Sequence, residues 1–167
     1  YAFYNYLVFM PRVLGATYGL SASEKGLVFL PLSIAVVVGS FAGGRLLARW
    51  RPRPVLVTTA ALNALSLLLF LAVAQWSLAA LVVAVSAFGL FLGLSLPVQT
   101  SLLMDLYPHN RATAVGSYNF FRFMGMATGP VLGSWLYQDG NLGLLYGFAA
   151  AAFLIAVWHA RMRFEQG

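Results

Sequence analysis

The sequence predicts an all-α integral membrane protein of six transmembrane helices, and three observations carry that expectation. Apolar residues make up 61% of the chain and charged residues only 8%, whereas a soluble domain carries roughly 25% charged residues to face water. The apolar residues gather into six continuous runs, most of them near the ~20 residues that cross a bilayer, without the alternation of a membrane β-barrel. Most arginines fall in short links on one side of those runs, where positive charge orients a membrane protein. The net charge of +6 therefore speaks for topology and against a nucleic-acid partner.

The spans follow in order. The first, Tyr1 to Thr17, is short and opens inside an aromatic apolar stretch with no leader, which predicts a cut through a larger protein. The second, Leu27 to Ala48, carries Gly39 and Gly43; the third is Val55 to Ala74. On the third, Thr59, Asn63 and Ser66 share a face and are expected to bond between helices. The fourth, Leu78 to Met104, holds Gly89, Gly93 and Pro97, and the fifth, Ala112 to Tyr137, holds Gly125, Gly129, Pro130 and Gly133. Each of these two runs to about 26 residues, roughly 39 Å at 1.5 Å per residue, so both should tilt. The sixth is Leu142 to Ala160. Glycines four apart let helix backbones approach closely, which matters where no hydrophobic effect drives helices together. Pro97 and Pro130 each remove a backbone hydrogen bond inside a span.

Arg49, Arg51 and Arg53 link spans two and three, Arg111 links four and five, and Arg161 and Arg163 lie in the tail. The opposite side has Arg12 and Lys25, partly offset by Glu24 and Asp139. The arginine-rich side is therefore expected to be cytoplasmic, and six spans put both ends of the segment there, in a multi-pass protein of the inner membrane.

The residue that points to function is Arg122, deep in a run that has no other charge. An ionised group at that depth survives by facing a bundle interior or a watery cavity, the signature of a protein that moves solutes. Tyr118, Asn119 and Arg122 are expected to share a face with Met126 one turn on, an aromatic, an amide and a guanidinium lining a solute cavity. Tyr4, Asn5 and Phe9 on the first span, with Ser95 and Gln99 on the fourth, are further lining candidates. Tyr1, Phe3 and Tyr6 also fit an interfacial aromatic belt, and Arg12 can snorkel to the outer surface. Arg122 cannot carry protons, because a guanidinium does not deprotonate in proteins. The acids Glu24, Asp105, Asp139 and Glu165 all lie near span ends or in loops. The chain has no cysteine, and His109 and His159 stand too far apart for a metal site, so no cofactor is expected. Ser95 has no intramembrane histidine to serve as its base, which argues against an intramembrane hydrolase.

Three stretches resemble one family. Gly44-Arg-Leu-Leu-Ala-Arg-Trp-Arg-Pro-Arg53 resembles the loop signature of the major facilitator superfamily, with Ala48 where the motif has Asp and Arg51 where it has its second Gly. Gly125-Met-Ala-Thr-Gly-Pro-Val-Leu-Gly133 resembles a helix motif of its drug:proton antiporters, and Arg111 to Arg122 looks like the eleventh helix of such exporters. The resemblance implies that residues 1–167 form one bundle, the 3+3 inverted-repeat half of a twelve-helix carrier. Pro11 before the glycine-rich second span echoes Pro97 before the glycine-rich fifth in the same sense. The degenerate loop motif implies helices seven to twelve, partnered by an N-terminal six-helix half. It also implies a cytoplasmic gate at Gly44, Arg49 and Arg53, with Gly44 letting the loop turn close to a neighbouring helix and the arginines pairing with acids and helix C-termini. Gly125, Gly129, Pro130 and Gly133 then form a helix-packing motif. The implied activity is proton-coupled efflux of drugs or small amphipathic compounds by alternating access, with the titrating carboxylate in the other half. Uptake or exchange of a small metabolite on the same fold is the alternative.

Overall fold

The computed structural model describes residues 1–137 and 140–164, the side chains at 163 and 164 excepted. Asp139, Glu165 and the side chain of Arg163 lie outside the described residues. The described chain forms α1 (Ala2–Tyr18), α2 (Ala22–Leu47), α3 (Pro52–Val73), α4 (Leu78–Leu106), α5 (Arg111–Leu136) and α6 (Leu142–Phe164). Helices α2, α3, α4 and α6 are each long and apolar enough to cross a membrane on their own. The other two are special: α1 has 17 residues, and α5 carries Asn119 and Arg122 within its length.

The helix limits depart most from expectation at α2, which begins at Ala22, ahead of the apolar run. Ser21 and Glu24 explain the difference. The Glu24 carboxylate accepts from the Ser21 backbone N–H at 2.8 Å, and Ser21 Oγ accepts from the Glu24 N–H at 3.4 Å. This capping box lets a polar first turn join the helix. Just before it, Gly19 ends α1 with φ 64°, returning its N–H to the Gly15 carbonyl while Leu20 N–H reaches Leu14. That left-handed cap favours a residue without a Cβ.

The closest packing in the bundle joins α2 to α4. A Cβ at Gly39 would overlap the carbonyl oxygen of Leu90, and one at Gly43 would overlap that of Leu94. From the other side, a Cβ at Gly93 would strike the Val36 carbonyl and one at Gly89 would strike Leu32. Both glycine pairs therefore serve backbone-to-backbone contact, each helix presenting its glycines to the other's carbonyls.

The same arrangement recurs in the other half of the repeat. Gly129 and Gly133 on α5 face Tyr1 and Asn5 on α1, as Gly39 and Gly43 on α2 face Leu90 and Leu94 on α4. The second helix of each three-helix set thus packs its glycine pair on the first helix of the other set, the relation an inverted repeat requires. The two copies differ in closeness. Gly133 meets the side chains of Asn5 and Phe9, not bare backbone, so α1–α5 is the looser pair. The described residues thus form one six-helix bundle of two related three-helix sets.

Several expectations change at this level. Tyr6 belongs to no interfacial belt: it is fully buried, stacked on Tyr146 at 4.7 Å and edge-on to Phe70 at 4.9 Å and Phe88 at 5.1 Å. This aromatic cluster ties α1, α3, α4 and α6 together. Thr59, Asn63 and Ser66 are buried but bond to carbonyls of their own helix: Thr59 to Val55, Asn63 to Thr59, and Ser66 to Asn63. A hydroxyl or amide reaches the preceding turn more readily than a neighbouring helix. Gly44 sits inside α2 with nothing near the place a Cβ would take, so it makes no close approach here. Helices α4 and α5 continue without interruption through Pro97 and Pro130.

Tyr1 does not lie at the arginine-rich end. It meets Gly129, with a Cβ there 3.3 Å from the Tyr1 Cα, and Gly129 stands roughly 27 Å along α5 from Arg111 at 1.5 Å per residue. Counting spans sets the direction of α1, which runs parallel to α5, while helix pairing sets its depth.

The interlocked glycines predict a graded response. Gly93→Val should lower the thermal unfolding midpoint in detergent, at a cost of about 1–3 kcal/mol from overpacking. Gly26→Ala, at a helical position with open space around it, should leave the midpoint unchanged or raise it, since alanine is the better helix former by about 1 kcal/mol.

Candidate substrate cavity

The less apolar helices α1 and α5, with α4, line a cavity of about 370 Å³. Its polar lining is Tyr1 and Tyr4 from α1 and its N-terminal flank, Gln99 from α4, and Tyr118 and Arg122 from α5. Phe3, Leu92, Leu96, Phe121, Gly125 and Met126 supply most of the apolar wall, and Val36, Phe88 and Phe153 complete it. Arg122 is the only charged side chain in that lining. It lies roughly 16 Å along α5 from Arg111 at 1.5 Å per residue, well inside the span. Its guanidinium makes no hydrogen bond or ion pair among the described residues and is exposed to the cavity side of the bundle.

Beside it runs a hydrogen-bonded chain that joins two helices. The Tyr118 hydroxyl donates to Gln99 Oε1. Gln99 Nε2 donates to Ser95 Oγ at 3.1 Å, and Ser95 Oγ–H donates to the Leu92 carbonyl at 2.7 Å. These bonds hold Gln99 and Tyr118 at a fixed place on the wall and leave one Gln99 N–H without a partner among the described residues. The arrangement is neutral. It offers a solute aromatic faces, an oriented amide and phenol, and one cation with its donors unspent.

The structure thus brings together Arg122, Tyr118, Met126, Gln99, Tyr4 and Gly125, and leaves other candidates outside the lining. Asn119 is half-buried off the cavity wall. One residue turns the helix by about 100°, so it cannot share the stripe that Tyr118 and Arg122 form four apart. Ser95 is buried behind the wall and acts through Gln99. Phe9 is in the core against Tyr137, 4.9 Å between ring centroids, with the Arg12 guanidinium 5.8 Å from its ring. Asn5 is fully buried, its carboxamide in the notch at Gly133, and neither amide atom has a hydrogen-bond partner among the described residues. Its backbone carbonyl accepts from the Tyr146 hydroxyl at 3.2 Å. Phe121 was legible one turn from Tyr118, whereas Leu92 and Leu96 carry no chemical signal.

The gate candidates lie apart from this cavity. Arg49 follows the end of α2, where its N–H caps the Leu46 carbonyl at 3.0 Å. Arg53 sits in the first turn of α3 and shares a cleft with Asp105 and Leu106 at the end of α4. Proline at the first position of α3 starts the helix three residues earlier than the apolar run and draws Arg53 into it. Among the described residues no group of three histidine, cysteine or acidic side chains gathers as a metal site.

A family model of the Major Facilitator Superfamily matches residues 1–165. The chain belongs to that superfamily. It is 30% identical over 149 residues to the probable anion transporter 2, chloroplastic, of Oryza sativa subsp. japonica, covering 86% of this chain and 27% of that protein. It is 29% identical over 141 residues to the multidrug transporter protein MdtP of Bacillus subtilis (strain 168), covering 81% of this chain and 26% of that protein. A shorter match, 31% identical over 65 residues, is to the MFS-type transporter SLC18B1 of Rattus norvegicus, with 39% of this chain and 14% of that protein. The chain spans about a quarter of the length of the first two relatives. No solved structure matches it. The superfamily is one of multi-pass membrane transporters, not of enzymes.

Because the chain has no cysteine, single introduced thiols can map this wall without background. Met126→Cys should react with a water-soluble thiol reagent roughly tenfold or more faster than Phe9→Cys, since only an accessible thiolate is attacked. Equal rates at the two positions would place the cavity elsewhere.

Proposed function

We propose that this chain is the C-terminal six-helix half of a secondary active transporter that exports drugs or other small amphipathic compounds in exchange for protons, by alternating access. The observation that carries the reading is the cavity itself, in which aromatic and aliphatic walls surround one fixed neutral hydrogen-bonding pair and a single guanidinium. An amphipathic solute buries its apolar body against Phe3, Leu92 and Phe121 and turns its polar end to Gln99, Tyr118 and Arg122. The name of the Bacillus relative, a multidrug transporter, supports drugs as the substrate class. Among the described residues no acidic side chain lines this cavity and Arg122 cannot release a proton, which favours a coupling carboxylate in the N-terminal half that completes the site. The protein resides in the cytoplasmic membrane with its arginine-rich end inside.

Uptake or exchange of a small anionic metabolite is the second reading, favoured by Arg122 as the cavity's sole charged side chain and by the name of the rice relative. The two readings separate on one variant. In vesicles bearing the whole transporter, Arg122→Ala should slow proton-driven accumulation of an exported amphipathic compound by about ten- to a hundredfold, the worth of a charge-assisted hydrogen bond. Loss confined to anionic metabolites, with transport of a lipophilic cation intact, would overturn the export reading.

A further inference from the structure

A second cleft, of about 890 Å³, opens where α3 begins and α4 and α6 end. We propose that it binds the phosphodiester headgroup of an anionic membrane phospholipid. The reading does not rest on the transport assignment.

Three parts of the chain far apart in sequence meet there. Arg51 precedes α3 and Arg53 lies in its first turn, Asp105 is near the end of α4, and Arg161 is near the end of α6. They converge because α3 packs on both α4 and α6. Among the described residues the lining has three guanidiniums against one carboxylate, a formal charge of +2. Arg161 sits favourably at a helix C-terminus, but Arg51 and Arg53 stand at the positive end of the α3 dipole, where cations are unfavourable and anions are stabilised.

The first turn of α3 supplies no anion of its own. Its N-terminus has no side-chain cap and no acidic residue in the first turn. Pro52 and Pro54 have no N–H to offer, which leaves few backbone donors at this helix start, and the planar forks of the guanidiniums suit phosphate oxygens. The floor of the cleft is apolar, formed by Val57, Leu102 and Leu106. A free phosphate has nothing to lay on that floor, whereas a phospholipid places its glycerol and first methylenes there. The position fits as well. α3 contributes nothing to the central cavity, and the cleft lies at the arginine-rich end, at the level where helices leave the bilayer and basic pockets take anionic headgroups.

The test is native mass spectrometry of the whole transporter in neutral detergent, titrated with phosphatidylglycerol or phosphatidylcholine. Phosphatidylglycerol should be retained in preference to phosphatidylcholine. The Arg51→Gln/Arg161→Gln variant should lose about thirtyfold of its phosphatidylglycerol affinity, the combined effect of two basic side chains near an anionic surface. Arg45→Gln/Arg111→Gln removes the same charge from the same end outside the cleft and should change it less than about threefold. Asp105→Asn should strengthen retention, an effect that a purely structural role for these residues would not produce. If the glutamine pair fails to fold, Arg51→Lys/Arg161→Lys keeps the topology charge but loses the planar fork, and should still bind severalfold more weakly. Equal retention of the two lipids, equal losses in the two glutamine variants, or displacement of the lipid by millimolar inorganic phosphate would each overturn the proposal.

Discussion

The bundle depends on the approach of α2 to α4 at the four glycines 39, 43, 89 and 93. In a bilayer the solvent is as apolar as the side chains, so packing must come from contact area and from close backbone approach. Removing four Cβ atoms at one crossing supplies both. Once α2 and α4 are locked, α3 and α6 follow through the stacked Tyr6, Phe70, Phe88 and Tyr146 cluster, with polar anchors at its edges. The Tyr18 hydroxyl holds the Ala74 carbonyl at 2.9 Å, and the Tyr1 hydroxyl holds the Leu145 carbonyl at 3.2 Å.

The cavity forms where that lock is weakest. α1 meets α5 through the same glycine spacing, but Asn5 and Phe9 stand in the notch at Gly133 where α4 offers bare carbonyls to α2. A pair held by side chains leaves room beside it, and Gly125, the third member of the glycine series, faces that room with nothing near the place of its missing Cβ. One repeated motif thus does two jobs, close packing in one copy and a cavity wall in the other. The two helices least suited to lipid, α1 by length and α5 by polarity, are the ones that border the cavity. Their polar side chains gain from a wet or solute-filled space what they would lose in hydrocarbon.

Charge is distributed on the same logic. Arg122 is tolerated inside because it faces the cavity, beside the Tyr118–Gln99–Ser95 hydrogen-bonded chain. The remaining basic groups lie at helix ends. There the pairing of α3 with α4 and α6 brings Arg51, Arg53, Asp105 and Arg161 to one cleft, a grouping no single segment contains.

The sequence by itself determined the helices, their order, the superfamily, and a lone guanidinium, Arg122, inside a span. These are local properties: an apolar run must be helical in a bilayer, and a lone guanidinium within one must face something polar. Glycine spacing likewise announced close packing. Only the tertiary structure decided which partner each glycine pair takes and which turn of each helix faces inward. Side chains a residue apart point about 100° apart, so Tyr118 and Arg122 reach the cavity while Asn119 does not. Tyr6 and Phe9 are aromatic residues near a helix start by sequence and core residues by contact. The depth of Tyr1, level with Gly129, was equally hidden, because apolarity records that a helix crosses the bilayer and only its packing partner fixes how far along it begins.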